Sequence, residues 1–351
     1  MTDLLPARRT ADPRRPLRAG RASLRYRPRV LAVGVVATGA LLLLVGWSMT
    51  LGTFAVPLPE VFTTVFGLGS GEYDFVVRTL RLPRLLAAVG VGGALAMSGA
   101  IFQALVRNPL VAPDIVGVTS GASLTAVVLI VVTRQPAMVP VGALVGALVT
   151  TAAVYALTWR RGITGNRLVL VGIGVNALLI ALTTFVIVRF PVEQIAPAIL
   201  WTTGTLYARS WTHVGWLAVG LALLVPAALA LTPRLRMLQL GDAASSALGN
   251  RTEASRGALL AVGAGLAAVA VAVGGPIGFV ALMVPHAVRM LLGPLSGGVL
   301  VVTGLAGAIL VVASDAVAQH ALPAALPVGV VTAAIGAPYF LFLLHRMNRG
   351  M

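Results

Sequence analysis

The chain alternates between long apolar runs and short segments that hold almost all of its charges. Runs without an acidic or basic residue occupy 30–59, 85–106, 115–133, 135–159, 168–188, 210–233, 257–288, 290–314 and 316–345. Each run approaches or exceeds the ~20 residues that a membrane-spanning helix needs. Because an ionisable side chain at the bilayer centre costs roughly 2.5–3.5 kcal/mol, charges should mark the ends of spans. The pattern predicts an all-α polytopic membrane protein.

The number of spans depends on how the run 257–288 is interpreted. Gly274, Gly275 and Pro276 interrupt it, and this combination ends a helix. Splitting the run gives about ten transmembrane helices, with both termini on one side. Ten spans place 20 of the 26 Arg on the side of the termini, which the positive-inside rule makes cytoplasmic. The predicted organisation is an Arg-rich, disordered cytoplasmic tail over 1–29, a ten-helix transmembrane domain over 30–346 and a cytoplasmic tail over 347–351.

Composition then excludes several classes of function. The chain is 58% hydrophobic and only 10% charged, whereas soluble domains have about 25% charged residues. All 26 basic residues are Arg, so the Lys of a phosphate-binding P-loop is missing, and Cys is absent. The net charge of +16 would suggest nucleic acid for a soluble protein, but here most of it lies at one membrane face. This chain therefore carries no P-loop ATPase of its own.

Two charged segments support both a structural and a functional interpretation. Arg78, Arg81 and Arg84 cluster on the side that the positive-inside rule disfavours. They would either contact lipid phosphate or present planar guanidinium groups to a carboxylate-bearing partner. In the longest inner loop, Asp242 can cap a short helix and Gly249 can end it. That helix would be either a plain surface helix or an element that inserts into a partner.

Several sequence blocks, taken together, resemble a known family. In chain order they include Arg81-Leu-Pro-Arg84, Gly93-x-x-x-x-Ser98-Gly99-x-x-x-Gln103, Asn108-Pro109-Leu110-x-x-Pro113, Leu240-Gly241-Asp242, Leu248-Gly249, Gly275-Pro-Ile-Gly278-Phe279 and Leu326-Pro327-x-Gly329. The chain resembles the FecCD-like permease family of type II ABC importers, which take up ferric siderophores, haem and cobalamin. The resemblance extends from about residue 30 to residue 346.

The resemblance implies a transport subunit in the cytoplasmic (inner) membrane and not an enzyme. Two permeases, identical or homologous, would form the pathway for a metal chelate, with ferric siderophore the first expectation. Two separate ATP-binding subunits would hold ATP and magnesium, and an extracytoplasmic substrate-binding protein would deliver the cargo. This chain itself would bind no cofactor, no metal and no nucleic acid.

The resemblance also implies roles for particular residues. Arg81 and Arg84 would dock the binding protein, and Gln103, Asn108 and Pro109 would form a pathway or structural motif. The contact that couples this chain to the ATPase is expected at Gly241, Asp242, Ala247, Leu248 and Gly249. A cytoplasmic gate is expected at Thr164, Gly165 and Asn166. No residue is assigned a catalytic role.

Two positions depart from the family pattern, and one alternative function stays open. Family members often have Arg where this chain has Gln319, and an acidic residue where it has Ala325, and a weaker or rearranged docking contact is expected there. The alternative is a secondary transporter or channel that acts without an ATPase. Such a protein would be expected to hold ionisable residues in its spans, and Asp315 alone lies near a span interior.

Overall fold

The computed structural model describes residues 15–19, 22–69, 71–159, 165–321 and 324–348. The described residues begin with two antiparallel strands, β1 (Arg15–Ala19) and β2 (Ala22–Tyr26), which pair with Leu17 opposite Leu24. We predicted disorder for the segment that contains them. Apolar and polar residues alternate along β2 with the period of two that favours a β-strand, and Leu17 of β1 pairs with Leu24 of β2.

Thirteen α-helices follow within the described residues. They are α1 (Pro28–Thr50), α2 (Leu58–Val65), α3 (Leu82–Val106), α4 (Val118–Val127), α5 (Val139–Thr158), α6 (Gly165–Arg189), α7 (Val192–Thr202), α8 (Trp211–Gln239), α9 (Asp242–Ala247), α10 (Thr252–Gly274), α11 (Val280–Leu292), α12 (Gly297–His320) and α13 (Val328–Asn348). A π-helical stretch, Phe75–Arg81, leads directly into α3, and a second one, Val128–Val132, continues α4.

Seven helices of the described chain are long and apolar enough to cross a membrane, and three more are apolar but shorter. The long ones are α1, α3, α5, α6, α8, α10 and α12, and the shorter ones are α4 with its π extension, α11 and α13. The predicted interruption of the run 257–288 is confirmed, because α10 ends at Gly274 and α11 begins at Val280. The chain is a polytopic helical membrane protein.

Asp315 lies near the end of its helix, as predicted, but inside it. Helix α12 continues through Asp315 to His320, and α13 does not begin until Val328. Asp315 is 0% exposed and pairs with Arg84, so its carboxylate does not need to reach water. A charge marks the end of a span only when it is unpaired. The short helices α2 and α7 were also not predicted.

Helix α3 lies at the centre of the bundle, where it packs against α8, α10, α11 and α12. In its most apolar window 78% of the residues are buried, compared with 6% for α1 and for α6, whose exposed apolar faces suit contact with lipid. Gly92 of α3 meets Gly307 of α12, and a Cβ on either would collide with the backbone of the other. Glycines in these helices therefore permit close backbone packing.

The bundle has two ends, which carry the predicted site residues. The Arg84 end contains the C-termini of α1 and α12 and the N-termini of α3 and α8. The Asp242 end contains the C-termini of α3 and α8, the short helix α9 and the N-terminus of α10.

Candidate functional site

A cavity of about 630 Å³ opens at the Arg84 end. It is formed by the loop after α1, the start of α3, the loop before α8 and the chain between α12 and α13. Its polar lining includes Arg81, Arg84, Thr205, Tyr207, Gln319 and His320. The cavity therefore combines both predicted docking arginines with Gln319, the position that departs from the family pattern.

Arg84 is bound to a buried carboxylate. Its Nε and one Nη donate to the two oxygens of Asp315 at 2.9 and 2.8 Å, which is the bidentate geometry that Arg and carboxylates favour. Gln319, one turn further along α12, donates its Nε2 to the same carboxylate at 2.7 Å. Three donated hydrogen bonds thus satisfy the buried Asp315 and join the start of α3 to the end of α12.

Arg81 is also held by internal contacts. Its guanidinium donates to the backbone carbonyl of Met49 at the end of α1 and to that of Phe54 in the following loop. The carbonyl of Met49 is among the last of α1, which lack a donor within the helix, and that of Phe54 lies in the loop beyond it. Arg81 therefore anchors the loop after α1, and its side chain is not free in this conformation.

Arg209, in the loop before α8, adds a third cation near the cavity. It donates to the carbonyl of Thr205 at 3.0 Å, while its buried Nε has no hydrogen-bond partner. Burial, assisted by the charge of Arg84, lowers the pKa of Arg209 to about 10. Arg81, Arg84 and Arg209 therefore place three guanidinium groups in or near the cavity, where Asp315 is the carboxylate bound to Arg84.

Arg78 is the most accessible arginine of the predicted cluster. Its side chain is 49% exposed, and its contact with Asp74 is long, at 4.0 Å. Exposed ion pairs of this kind contribute about 0–1 kcal/mol, so Arg78 can exchange Asp74 for another carboxylate at little cost. Exposure therefore separates Arg78 from Arg81 and Arg84, which the sequence pattern alone does not do.

At the Asp242 end, α9 projects as a single short helix. Gly241 precedes it with φ +106° and Gly249 follows it with φ +79°, so glycine suits both positions. We predicted Asp242 as the cap, but Asp242 is the first residue of the helix and makes no capping bond. Ala247, Leu248 and the other residues of this short segment are exposed, except Ser245.

Charged side chains connect α9 to two neighbouring helices. The Asp242 carboxylate accepts from Arg256 of α10 at 2.9 Å and lies 3.8 Å from Arg107 at the end of α3. Arg256 also pairs with Glu253 at 2.9 Å. Asp242 is 61% exposed, so these pairs orient the helix more than they stabilise the fold.

A buried polar network fixes the other side of α9. The amide of Asn250 donates to the hydroxyl of Ser245 at 2.9 Å, and the hydroxyl of Ser255 donates to the carbonyl oxygen of Asn250 at 2.7 Å. All three residues are buried. Because Ser245 belongs to α9 and Ser255 to α10, this network attaches the short helix firmly to a long central one.

The predicted motif of Gln103, Asn108 and Pro109 lies at the end of α3 and in the turn after it. Gln103 is 2% exposed and donates to the carbonyl of Leu282 in α11 at 2.9 Å. The side chain of Asn108 accepts from the amide of Leu110 at 2.9 Å, which stabilises the turn. These contacts are structural, and a role in the pathway stays a prediction.

The predicted gate lies mostly beyond the described side chains. Thr164 falls outside the described residues, while Gly165 and Asn166 form the start of α6. The gate therefore stays a prediction.

Comparison with known proteins connects these features to a family. The model of the FecCD transport family matches residues 40–346. This chain belongs to the FecCD transport family. The chain is 39% identical to the achromobactin transport system permease protein CbrC of Dickeya dadantii (strain 3937), over 90% of this chain and 92% of the relative. It is 38% identical to the ferric enterobactin transport system permease protein FepG of Escherichia coli (strain K12), over 86% and 92%.

A solved structure agrees with this assignment. It is an inward-facing metal-chelate type ABC transporter, and its chain superposes with a TM-score of 0.82 at 28% identity over 90% of this chain and 99% of that one. The predicted family is thereby confirmed. Like its relatives in the FecCD family, the chain is a transport permease subunit and not an enzyme.

Two features of the site were missed by reasoning from the sequence. One is the pairing of Arg84 with Asp315, which lie 231 positions apart. The signal was present, because an arginine cluster and the carboxylate nearest a span interior were both expected at the outer ends of their spans. The other is the network of Ser245, Asn250 and Ser255, because nothing in the sequence distinguishes these residues from ordinary polar residues of a loop.

Proposed function

We propose that this chain is the permease of an ABC importer that moves a metal chelate, with a ferric siderophore as the expected cargo, across the cytoplasmic membrane. Two separate ATP-binding subunits, holding ATP and magnesium, would drive it. A substrate-binding protein would deliver the chelate, and a second permease, identical or homologous, would complete the pathway. This chain would bind no cofactor.

The proposed orientation places ten spans across the membrane with both termini in the cytoplasm. The Asp242 end is then cytoplasmic and the Arg84 end faces outward. The count of Arg residues supports this direction, because 20 of 26 fall on the cytoplasmic side.

The observation that carries the proposal is the construction of α9. Its flanking residues Leu240 and Leu248 are 65% and 61% exposed, an unusual placement for leucine beside charged groups. Its inner side is fixed to α10 by the Ser245 network. A helix with an apolar outer surface and a rigid inner attachment suits the transmission of force from a partner's groove to the central helices.

For the outer surface, we propose Arg78 as the first contact of the binding protein. Arg81 and Arg84 hold the shape of the cavity from within, so they would contribute to docking only through the potential that they create. Gln319, which replaces the Arg of many family members, is consistent with this assignment of roles, because its side chain donates a hydrogen bond to Asp315.

Transport by a reconstituted complex tests the proposal. The chain would be co-purified with a candidate ATP-binding subunit, a substrate-binding protein and, where one exists, a second permease, and then placed in liposomes. We expect uptake of ⁵⁵Fe-siderophore that requires ATP and the binding protein. Competition by unlabelled hydroxamate, citrate and catecholate chelates, haem and cobalamin would define the cargo.

The alternative of a secondary transporter gives the opposite result. Uptake by the chain alone, driven by a proton or sodium gradient and indifferent to ATP, would contradict the proposal. A vanadate-insensitive rate in the full complex would also count against it.

A further inference from the structure

A second large groove lies at the Asp242 end, and its lining shares no residue with α9 or with the cavity at the Arg84 end. It has a volume of about 930 Å³ and is formed mainly by the first half of α1 and the first half of α12. Its apolar part is lined by Val30, Leu31, Gly34, Val35, Gly39, Val301, Val302 and Leu305. Helix α1 has few buried residues, so this groove opens toward the apolar surroundings of the bundle.

The polar part of the groove is positively charged. Arg27, which precedes α1, and Arg236, near the end of α8, both line it. Neither guanidinium has a hydrogen bond or an ion pair with the described residues. Ser296 and the first backbone N–H groups of α12 lie in the same lining, and a helix N-terminus attracts negative charge.

We propose that this groove binds one anionic phospholipid. The phosphate group would lie between Arg27 and Arg236, and an acyl chain would follow the apolar floor past Gly34 and Gly39. A basic pocket next to an apolar intramembrane groove is the arrangement that anionic lipid headgroups recognise. The assignment to the cytoplasmic leaflet rests on the proposed orientation, whereas the groove and its two arginines do not.

The shape of the groove favours a lipid over a small soluble anion. A phosphate ion would use only the two arginines and would leave the apolar floor without an occupant. The missing side chains of the two glycines create that floor: a Cβ at Gly39 would meet nothing within 4 Å, and one at Gly34 would meet only Val302, at 3.6 Å. An acyl chain gains affinity from each methylene that it buries there.

The headgroup contact is tested with the full chain purified in detergent. Native mass spectrometry would count bound phosphatidylglycerol against phosphatidylcholine with identical acyl chains. We expect the double change of Arg27→Gln and Arg236→Gln to weaken phosphatidylglycerol binding about 25-fold, since each arginine near an anionic lipid contributes about fivefold, or about 1 kcal/mol. Arg234→Gln is the matched control, because Arg234 is exposed two residues away on α8 but does not line the groove.

The acyl contact is tested by filling the groove. Gly39→Leu should reduce binding of both phospholipids, whereas Gly215→Leu should not, although a Cβ at either glycine meets nothing within 4 Å. Three outcomes would overturn the proposal. They are equal retention of the two lipids, equal loss in the Arg234 control and the double variant, and displacement of phosphatidylglycerol by millimolar inorganic phosphate.

Discussion

Both ends of the bundle hold an arginine against an aspartate, but the two pairs differ in their surroundings. Asp315 is completely buried and receives three hydrogen bonds, two of them from Arg84. Asp242 is 61% exposed and is shared between Arg256 and Arg107. The first pair fixes two central helices in one arrangement, whereas the second orients a surface helix and contributes little to stability.

The two ends also differ in the side chains that they expose. At the Asp242 end, Leu240 and Leu248 are exposed beside a rigidly attached helix. At the Arg84 end, Arg81 and Arg84 line the cavity, and polar bonds within the protein hold both side chains in place. In the proposed function, the Arg84 end would recognise charge on a preformed surface, while the Asp242 end would recognise an apolar shape and transmit movement.

The largest effect is expected from breaking the buried pair. Asp315→Asn should lower the free energy of unfolding by about 3–5 kcal/mol, because it leaves the charge of Arg84 without its partner. Unfolding in mixed detergent and SDS micelles would measure this. A similar stability for Asp315→Asn and wild type would contradict the structural role of the pair.

A second variant separates stability from docking. Replacing both partners, Arg84→Met with Asp315→Leu, removes the buried charges together and should recover most of the lost stability. If ⁵⁵Fe-siderophore uptake also recovers, Arg84 does not dock the binding protein. If stability recovers and uptake stays low, the predicted docking role of Arg84 gains support.

A smaller loss is expected at the attachment of α9. Asn250→Ala removes two buried side-chain hydrogen bonds and leaves Ser245 and Ser255 without partners, which should cost about 2 kcal/mol. ATP hydrolysis should continue while uptake falls, since the helix would move without α10. Exposed Ser246 offers the control Ser246→Ala, for which both activities should stay near wild type.

Little effect on stability is expected at the exposed leucine. Leu248→Asp should change the free energy of unfolding by less than about 0.5 kcal/mol, as surface substitutions usually do. It should nevertheless abolish ATP-driven uptake by preventing insertion into the ATP-binding subunit. Co-purification of that subunit measures the contact directly, and undiminished co-purification would reject the coupling role of Leu248.

The smallest effect is expected at Arg78, at the Arg84 end of the bundle. Arg78→Gln should leave stability unchanged and weaken binding-protein association about fivefold, since one exposed charge contributes about 1 kcal/mol. Arg134→Gln is the matched control at another exposed arginine. The weakening should decrease with added salt, and affinity equal to that of the control would remove Arg78 from the docking surface.

Much of the fold could be predicted because a helix that crosses a bilayer must be a long apolar run, with charges at its ends. The interruption at Gly274, Gly275 and Pro276 separates α10 from α11 as expected. The short helix between Gly241 and Gly249 was also predicted, with its first residue displaced by one. The rule that charges mark the ends of spans failed at Asp315, because hydropathy takes no account of a second side chain that neutralises the charge.

The sequence by itself determined the class of the protein, its family and the absence of a P-loop from this chain. Hydrophobic length, charge position and the absence of Lys are local properties that need no contacts. Tertiary structure alone decided which arginines are available. Arg78, Arg81 and Arg84 follow one another at intervals of three residues, but their surroundings differ. Arg78 is exposed, Arg81 binds backbone carbonyls, and Arg84 binds a carboxylate 231 positions away. The close packing of α3 on α12 brings that pair together, and no local pattern can encode it.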